Sequence, residues 1–83
     1  MLGRTLRDTG SAAALTPVWN RAVGELIGKH TRPVRWEGKT LVITCDAESW
    51  KSALEPERAA LTRRLNDAMG ESTVAAIVLE VRR

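Results

Sequence analysis

Residues 34–45 constrain the fold more than any other part of this chain. Val34-Arg35-Trp36 and the run from Thr40 to Cys45 alternate apolar and polar side chains on either side of Glu37-Gly38-Lys39. Period-two alternation around a glycine-bearing turn is the signature of a β-hairpin. With Glu37-Gly38 as a two-residue loop, Trp36 pairs with Lys39, Arg35 with Thr40 and Val34 with Leu41. Val34, Trp36, Leu41, Ile43 and Cys45 then share one side, which must be the core, while Arg35, Thr40, Val42 and Thr44 share the other.

The flanking segments read as the cover for that apolar side. Thr16-Pro17 starts a helix, because Thr is a good N-cap and Pro suits the first helical position. Trp19, Ala22, Val23, Leu26 and Ile27 recur on its inward face, and Pro33 ends it near Lys29 or His30. Beyond the hairpin, Asp46 is the expected N-cap of a helix that turns Trp50, Ala53 and Leu54 inward. Pro56 interrupts it and opens a further helix through Met69, with Leu61, Leu65 and Met69 four apart and Gly70 as its C-cap. Val74 to Val81 is β-branched-rich and reads as a strand, with Ile77, Leu79 and Val81 inward and Val74, Ala76 and Val78 opposite.

The order helix, strand, strand, helix, helix, strand predicts an α+β layer, a three-stranded sheet with its helices on one face. It is also the α-β-β-α-α-β order of type II KH domains, which grip single strands with a Gly-x-x-Gly loop between the consecutive helices. Here that connection is Ala53-Leu54-Glu55-Pro56-Glu57, with no glycine and two carboxylates. A KH-like fold without its usual phosphate loop is the expectation. Residues 1–15 read as a flexible or partly helical arm before a single domain over 16–83, with no linker or repeat.

Chemistry-bearing residues are sparse. His30 and Cys45 are the only residues of their types, and their spacing matches no metal motif. Cys45 falls on the inward side of its strand, and His30 sits where a helix end favours a cation, so neither reads as catalytic. No nucleotide-binding loop is present; Gly24 and Gly28, four apart, read as the close approach of a helix to a neighbour. The expectation is a non-enzyme without cofactor or metal. The start lacks the apolar stretch of a secretory signal and no run is long enough for a membrane span, which places the expected compartment in the cytoplasm.

Charge is the remaining signal. The chain has 13 Lys plus Arg against 10 Asp plus Glu, a net charge of +3. Arg21, Lys29, Arg32, Arg35 and Lys39, with His30 among them and only Glu25 and Glu37 opposed, account for that excess and form a candidate patch for nucleic acid, DNA included, or for an acidic partner. A plain solvated surface explains the same residues equally well. Arg58, Arg63 and Arg64 form a second cluster on the last helix, where Arg63 can pair with Asp67. The sheet's free face, with Val42, Ala76 and Val78 beside Thr40, Thr44 and Arg35, is a small apolar patch through which two copies could form a weak dimer.

Trp19, Val23-Gly24, His30-Thr31-Arg32-Pro33, Gly38 with Leu41-Val42, Trp50, Leu54 and Leu61 through Leu65-Asn66 follow one another as in a known family. Over residues 15–81 the chain resembles the DciA family, bacterial proteins that recruit or load the DnaB-type replicative helicase. The resemblance implies a KH-like domain without Gly-x-x-Gly, a helicase hexamer as partner, and weak to moderate binding of single-stranded DNA. Family members often bind DNA through a disordered basic extension; here the last strand runs directly into Arg82-Arg83, so the folded domain is expected to supply the contacts. Trp36 departs from the family pattern, where a smaller residue is expected. Thr31, in the polar motif, and Arg58, Arg63 and Arg64 are the partner-binding candidates; Trp19, Gly24, Pro33, Gly38 and Trp50 match positions read as structural. The alternative, from the element order alone, is a free-standing KH-like module for DNA or RNA.

Overall fold

The structure is a computed structural model, and it describes residues 12–70 and 73–82. A 3₁₀ turn, Ala13–Leu15, leads into α1 (Thr16–Val23) and α2 (Glu25–His30). The hairpin β1 (Thr31–Glu37) and β2 (Thr40–Cys45) follows, then α3 (Glu48–Leu54), a second 3₁₀ turn at Glu55–Glu57, α4 (Arg58–Met69) and β3 (Ala76–Val81). The sheet order is β1-β2-β3, with β1 antiparallel and β3 parallel to the central β2. A parallel pair needs a long crossover, and α3 with α4 provides it. The fold is therefore α+β with a three-stranded mixed sheet, and it is compatible with a KH-like architecture.

The helices lie on one face of the sheet. Trp19 and Val23 of α1, Leu54 of α3, and Leu61 and Leu65 of α4 are buried in one cluster with Trp36, Leu41, Ile43, Cys45, Ile77 and Leu79, the residues of one side of the strands. Ala12 belongs to the same core, and its N–H donates to the Val34 carbonyl (3.1 Å), so the folded unit begins ahead of residue 16. The rest of the expected arm, residues 1–11, lies outside the described residues.

Several expectations need correction. The first helix is two helices, broken at Gly24, whose φ of +93° and ψ of 165° are open to glycine alone. A Cβ on Gly24 would meet nothing within 4 Å, so its role is conformational. Gly28 is the close approach: a Cβ there would come within 3.0 Å of Asn20 Cγ on α1. The break swings α2 away from the core, and Leu26, expected inward, is 64% exposed. Asp46 does not cap α3; the N-cap is Ala47, without a side-chain bond. Pro56 lies in the 3₁₀ turn and α4 starts at Arg58, while Gly70 ends it in the left-handed conformation, as expected.

The hairpin register also differs. The turn residues are Gly38-Lys39, so Glu37 pairs with Thr40 and Trp36 with Leu41. Gly38 holds φ +65° and no non-glycine residue among the described ones has positive φ, the distribution a type II′ turn requires. A β-bulge between Pro33 and Arg35 then shifts the ladder, pairing Pro33 with Ile43 and Thr31 with Cys45. Val34 is the extra residue and is half-buried, outside the core in which it was expected.

The sheet's outer face is less open than expected. Val42 is 1% exposed and Thr44 is buried, which leaves Ala76 and Val78 as its exposed apolar residues. Arg35 explains the cover. Its guanidinium reaches Glu80 on β3 (3.3 and 3.4 Å), and the register places that bridge across β2 between Val42 and Thr44. Val74, expected opposite the core, lies in it: the Asn66 side chain donates to the Val74 carbonyl and accepts its N–H, both at 2.9 Å. That two-bond clamp turns the approach to β3 inward.

Candidate nucleic-acid interface

The junction between α2 and β1 is built around one buried hydroxyl. Thr31 Oγ1 accepts the Trp19 indole N–H (2.9 Å) and donates to the Ile27 carbonyl (2.7 Å). The carbonyls of a helix's last turn lack intrahelical donors, so this bond closes the end of α2 while anchoring Trp19. Thr31 is 5% exposed, with its hydroxyl engaged on both sides. It has no surface to offer a partner, and the contact role expected for it gives way to a structural one.

The ladder continues one step beyond the strands. Because Thr31 faces Cys45, His30 and Asp46 fall opposite each other; the Asp46 N–H donates to the His30 carbonyl (2.9 Å). His30 Nδ1 donates to Asp46 Oδ2 (2.8 Å), since a carboxylate only accepts. The imidazole also stacks on Trp50 of α3, with ring centroids 4.5 Å apart and planes 16° from parallel. Trp50 is thus half-buried at the edge of the core rather than a central anchor.

Beside this stack lies a cleft of about 260 Å³, lined by Lys29, His30, Arg32, Thr44, Asp46 and Arg82 among others. The strand register brings Arg82 there, as Val81 pairs with Cys45 and the Arg82 N–H donates to the Cys45 carbonyl (2.8 Å). Lys29, Arg32 and Arg82 have no ion pair among the described residues, and the cleft's one carboxylate, Asp46, is held by His30. Arg21 stands alongside, in a depression sharing Lys29. A groove of about 770 Å³ adjoins on the other side, sharing Arg32, Thr44 and Arg82 and adding Lys51, Glu48 and Glu80.

The expected basic patch is therefore divided. Arg21, Lys29, His30 and Arg32 come together. Arg35 does not join them: it bonds Glu80 and, at 2.9 Å, Glu37, and these two bonds raise its pKa above the ordinary arginine value. Lys39 sits in the hairpin turn, six strand steps or about 20 Å along β1. On α4, Arg58 pairs with Glu55 (3.1 Å). Arg63 and Arg64 are exposed, and no Arg63–Asp67 pair forms among the described residues. Sequence reasoning missed Arg82, which no local signal marks, because only the parallel pairing of β3 carries it to the cleft. It missed the His30–Asp46 pair as well, since the expected register set His30 opposite Cys45.

Other chemistry is quickly placed. Cys45 is buried in the core, and burial first, then Asp46, pushes its thiol pKa up. Among the described residues no three His, Cys, Asp or Glu side chains gather as a metal site, and no helix is long and apolar enough to cross a membrane. The link between α3 and α4 carries Glu55 bonded to Arg58 and within 3.9 Å of Lys51, and it has no glycine whose backbone could approach a phosphate.

Two comparisons identify relatives. A UPF0232 protein of Streptomyces avermitilis is 31% identical over 64 residues, covering 75% of this chain and 35% of its own length. Another UPF0232 protein, from Streptomyces coelicolor, is 33% identical over 61 residues, covering 71% of this chain and 32% of its own. This chain thus matches about a third of the length of these curated relatives. The family model described as "Dna[CI] antecedent, DciA" matches residues 2–79, nearly the whole chain, and the chain belongs to the DciA family.

Proposed function

We propose that this domain is a non-enzymatic adaptor that binds the DnaB-type replicative helicase and assists its placement on single-stranded DNA in replication. The family match over residues 2–79 carries the reading, because DciA proteins are loaders of that helicase rather than catalysts. An adaptor of this kind acts by differential binding: contacts made better with a strand-admitting state of the hexamer raise that state's population. Arg63 and Arg64, exposed on α4, remain the candidates for the partner contact, and the α2–β1 cleft lies on other elements, so both surfaces can be occupied together.

Isothermal titration of this chain into the replicative helicase of the same organism, without DNA and at physiological salt, tests the reading. Micromolar or tighter binding with a defined stoichiometry is expected. No complex with an intact hexamer would overturn it in favour of the second reading, a free-standing KH-like module for DNA or RNA. That reading draws its support from the unpaired cations of the cleft.

A further inference from the structure

We infer that the α2–β1 cleft is a site for one unpaired nucleotide of a single strand, its base stacked on the face of His30 turned from Trp50, with Lys29, Arg32 and Arg82 each engaging one of the phosphates of that nucleotide and its neighbours. The inference deepens the DNA half of the proposed function and rests on it.

Three observations meet here. First, the three cations line one small cleft and lack ion pairs among the described residues. Like charges so close repel one another until an anion joins them, and two guanidiniums offer the planar forks that suit phosphate oxygens. Second, His30 is a fixed plane. Asp46 holds its Nδ1, Trp50 covers one face, and the side chain as a whole still shows 33% of its surface. The face turned from Trp50 is the one on which a further ring can stack. A base placed there extends the Trp50–His30 stack by one ring, and the platform needs no ordering beforehand. Third, the 770 Å³ groove sharing Arg32, Thr44 and Arg82 gives the strand a continuation past the cleft.

The combination selects the ligand. An acidic peptide would use the cations and leave the imidazole face empty. A duplex would present phosphates while its bases stayed paired and stacked out of reach. Only an unpaired nucleotide uses both parts of the site, and every base has a face to stack, so sequence preference is weak.

The test is fluorescence anisotropy of labelled oligothymidine and of a duplex of equal length, with the full chain and no helicase. The expected single-strand affinity falls with salt at a log–log slope near −2, from about −0.7 for each of three phosphate contacts. R82A should weaken single-strand binding and reduce the slope by about 0.7. H30A should cost roughly tenfold on the single strand and less on the duplex, whereas H30F, which keeps an aromatic face but likewise releases Asp46, should lose less than H30A. Arg82 is exposed, so its variant leaves the core intact should H30A unfold. Wild-type affinity in R82A, or equal losses in H30A and H30F when both are folded, would overturn the site while leaving helicase binding and DNA binding elsewhere in place. No DNA binding by the unaltered chain would overturn this site together with the DNA half of the proposed function.

Discussion

Thr31→Val is the most incisive perturbation of this domain, because it exchanges a hydroxyl for a methyl of nearly the same shape at a buried strand position. Volume and β-branching are retained, so neither a cavity nor a propensity change enters. Two hydrogen bonds are lost together: the Trp19 indole N–H loses its acceptor at 2.9 Å, and the Ile27 carbonyl loses its donor at 2.7 Å. Trp19 is fully buried and its N–H would have no water to turn to; an unsatisfied buried donor costs about 1–3 kcal/mol. Ile27 is only half-buried, so water can relieve part of its carbonyl's loss and its share is smaller. The sum is about 2–3 kcal/mol, a large fraction of the stability of a domain this size. Such a loss lowers Tm by roughly 10–20 °C. Urea unfolding followed by circular dichroism measures it directly. Thr31→Ser, which keeps the hydroxyl, should lose much less, and Trp19→Phe combined with Thr31→Val should cost less than the two changes summed. A Thr31→Val midpoint within experimental error of the unaltered protein would refute the central position given to this hydroxyl.

The remaining predictions concern other links in the structure. The two helix glycines should respond in opposite directions: Gly24→Ala forces a side chain onto φ +93° and should cost about 1–3 kcal/mol, whereas Gly28→Ala needs only the exposed Asn20 side chain to turn aside and should be neutral or stabilising by up to about 1 kcal/mol in the same denaturation assay. Asn66→Ala breaks both bonds to Val74 and should lower the unfolding midpoint while hydrogen exchange speeds up at the Val74 N–H. Arg35→Ala should leave the salt slope of DNA binding unchanged where Arg32→Ala reduces it, because Glu37 and Glu80 already engage the Arg35 charge. The Cys45 thiol should react with a disulfide reagent only as fast as the domain opens. Its folded pKa is raised, so the proton is held longer in the folded state than in the unfolded one; the thiol's share of stability is full at lower pH and declines as pH rises above about 9, a decline that Cys45→Ala should remove.

The difference between expected and observed site has one main cause. Local pattern establishes that residues 31–45 form a hairpin, but a turn set one place further along moves each residue's partner by two, and the bulge at Val34 takes one of those two back. The faces of Trp36, Leu41, Ile43 and Cys45 survive those shifts, since their burial is strong enough to hold against the turn. The pairing of His30 with Asp46 depends on the summed shift and was hidden by it. Arg35 shows the same limit from another side. As a residue type it counts as a free cation; once β3 lies beside β2, Glu80 comes within 3.3 Å and engages that charge.

Sequence alone determined the order of helices and strands, the apolar side of β2 and β3, the stop at Gly70 and the lack of glycine between α3 and α4. These follow from period, capping and backbone sterics, which act over a few residues. The tertiary structure decided that Gly24 ends α1, that Thr31 faces inward, that Val74 turns into the core, and that Arg82 joins Lys29 and Arg32 while Arg35 and Lys39 stay apart. Each of these depends on partners between 8 and 53 residues away or on a backbone conformation that only packing can select. Such contacts exist only after the sheet has closed, so no local pattern encodes them.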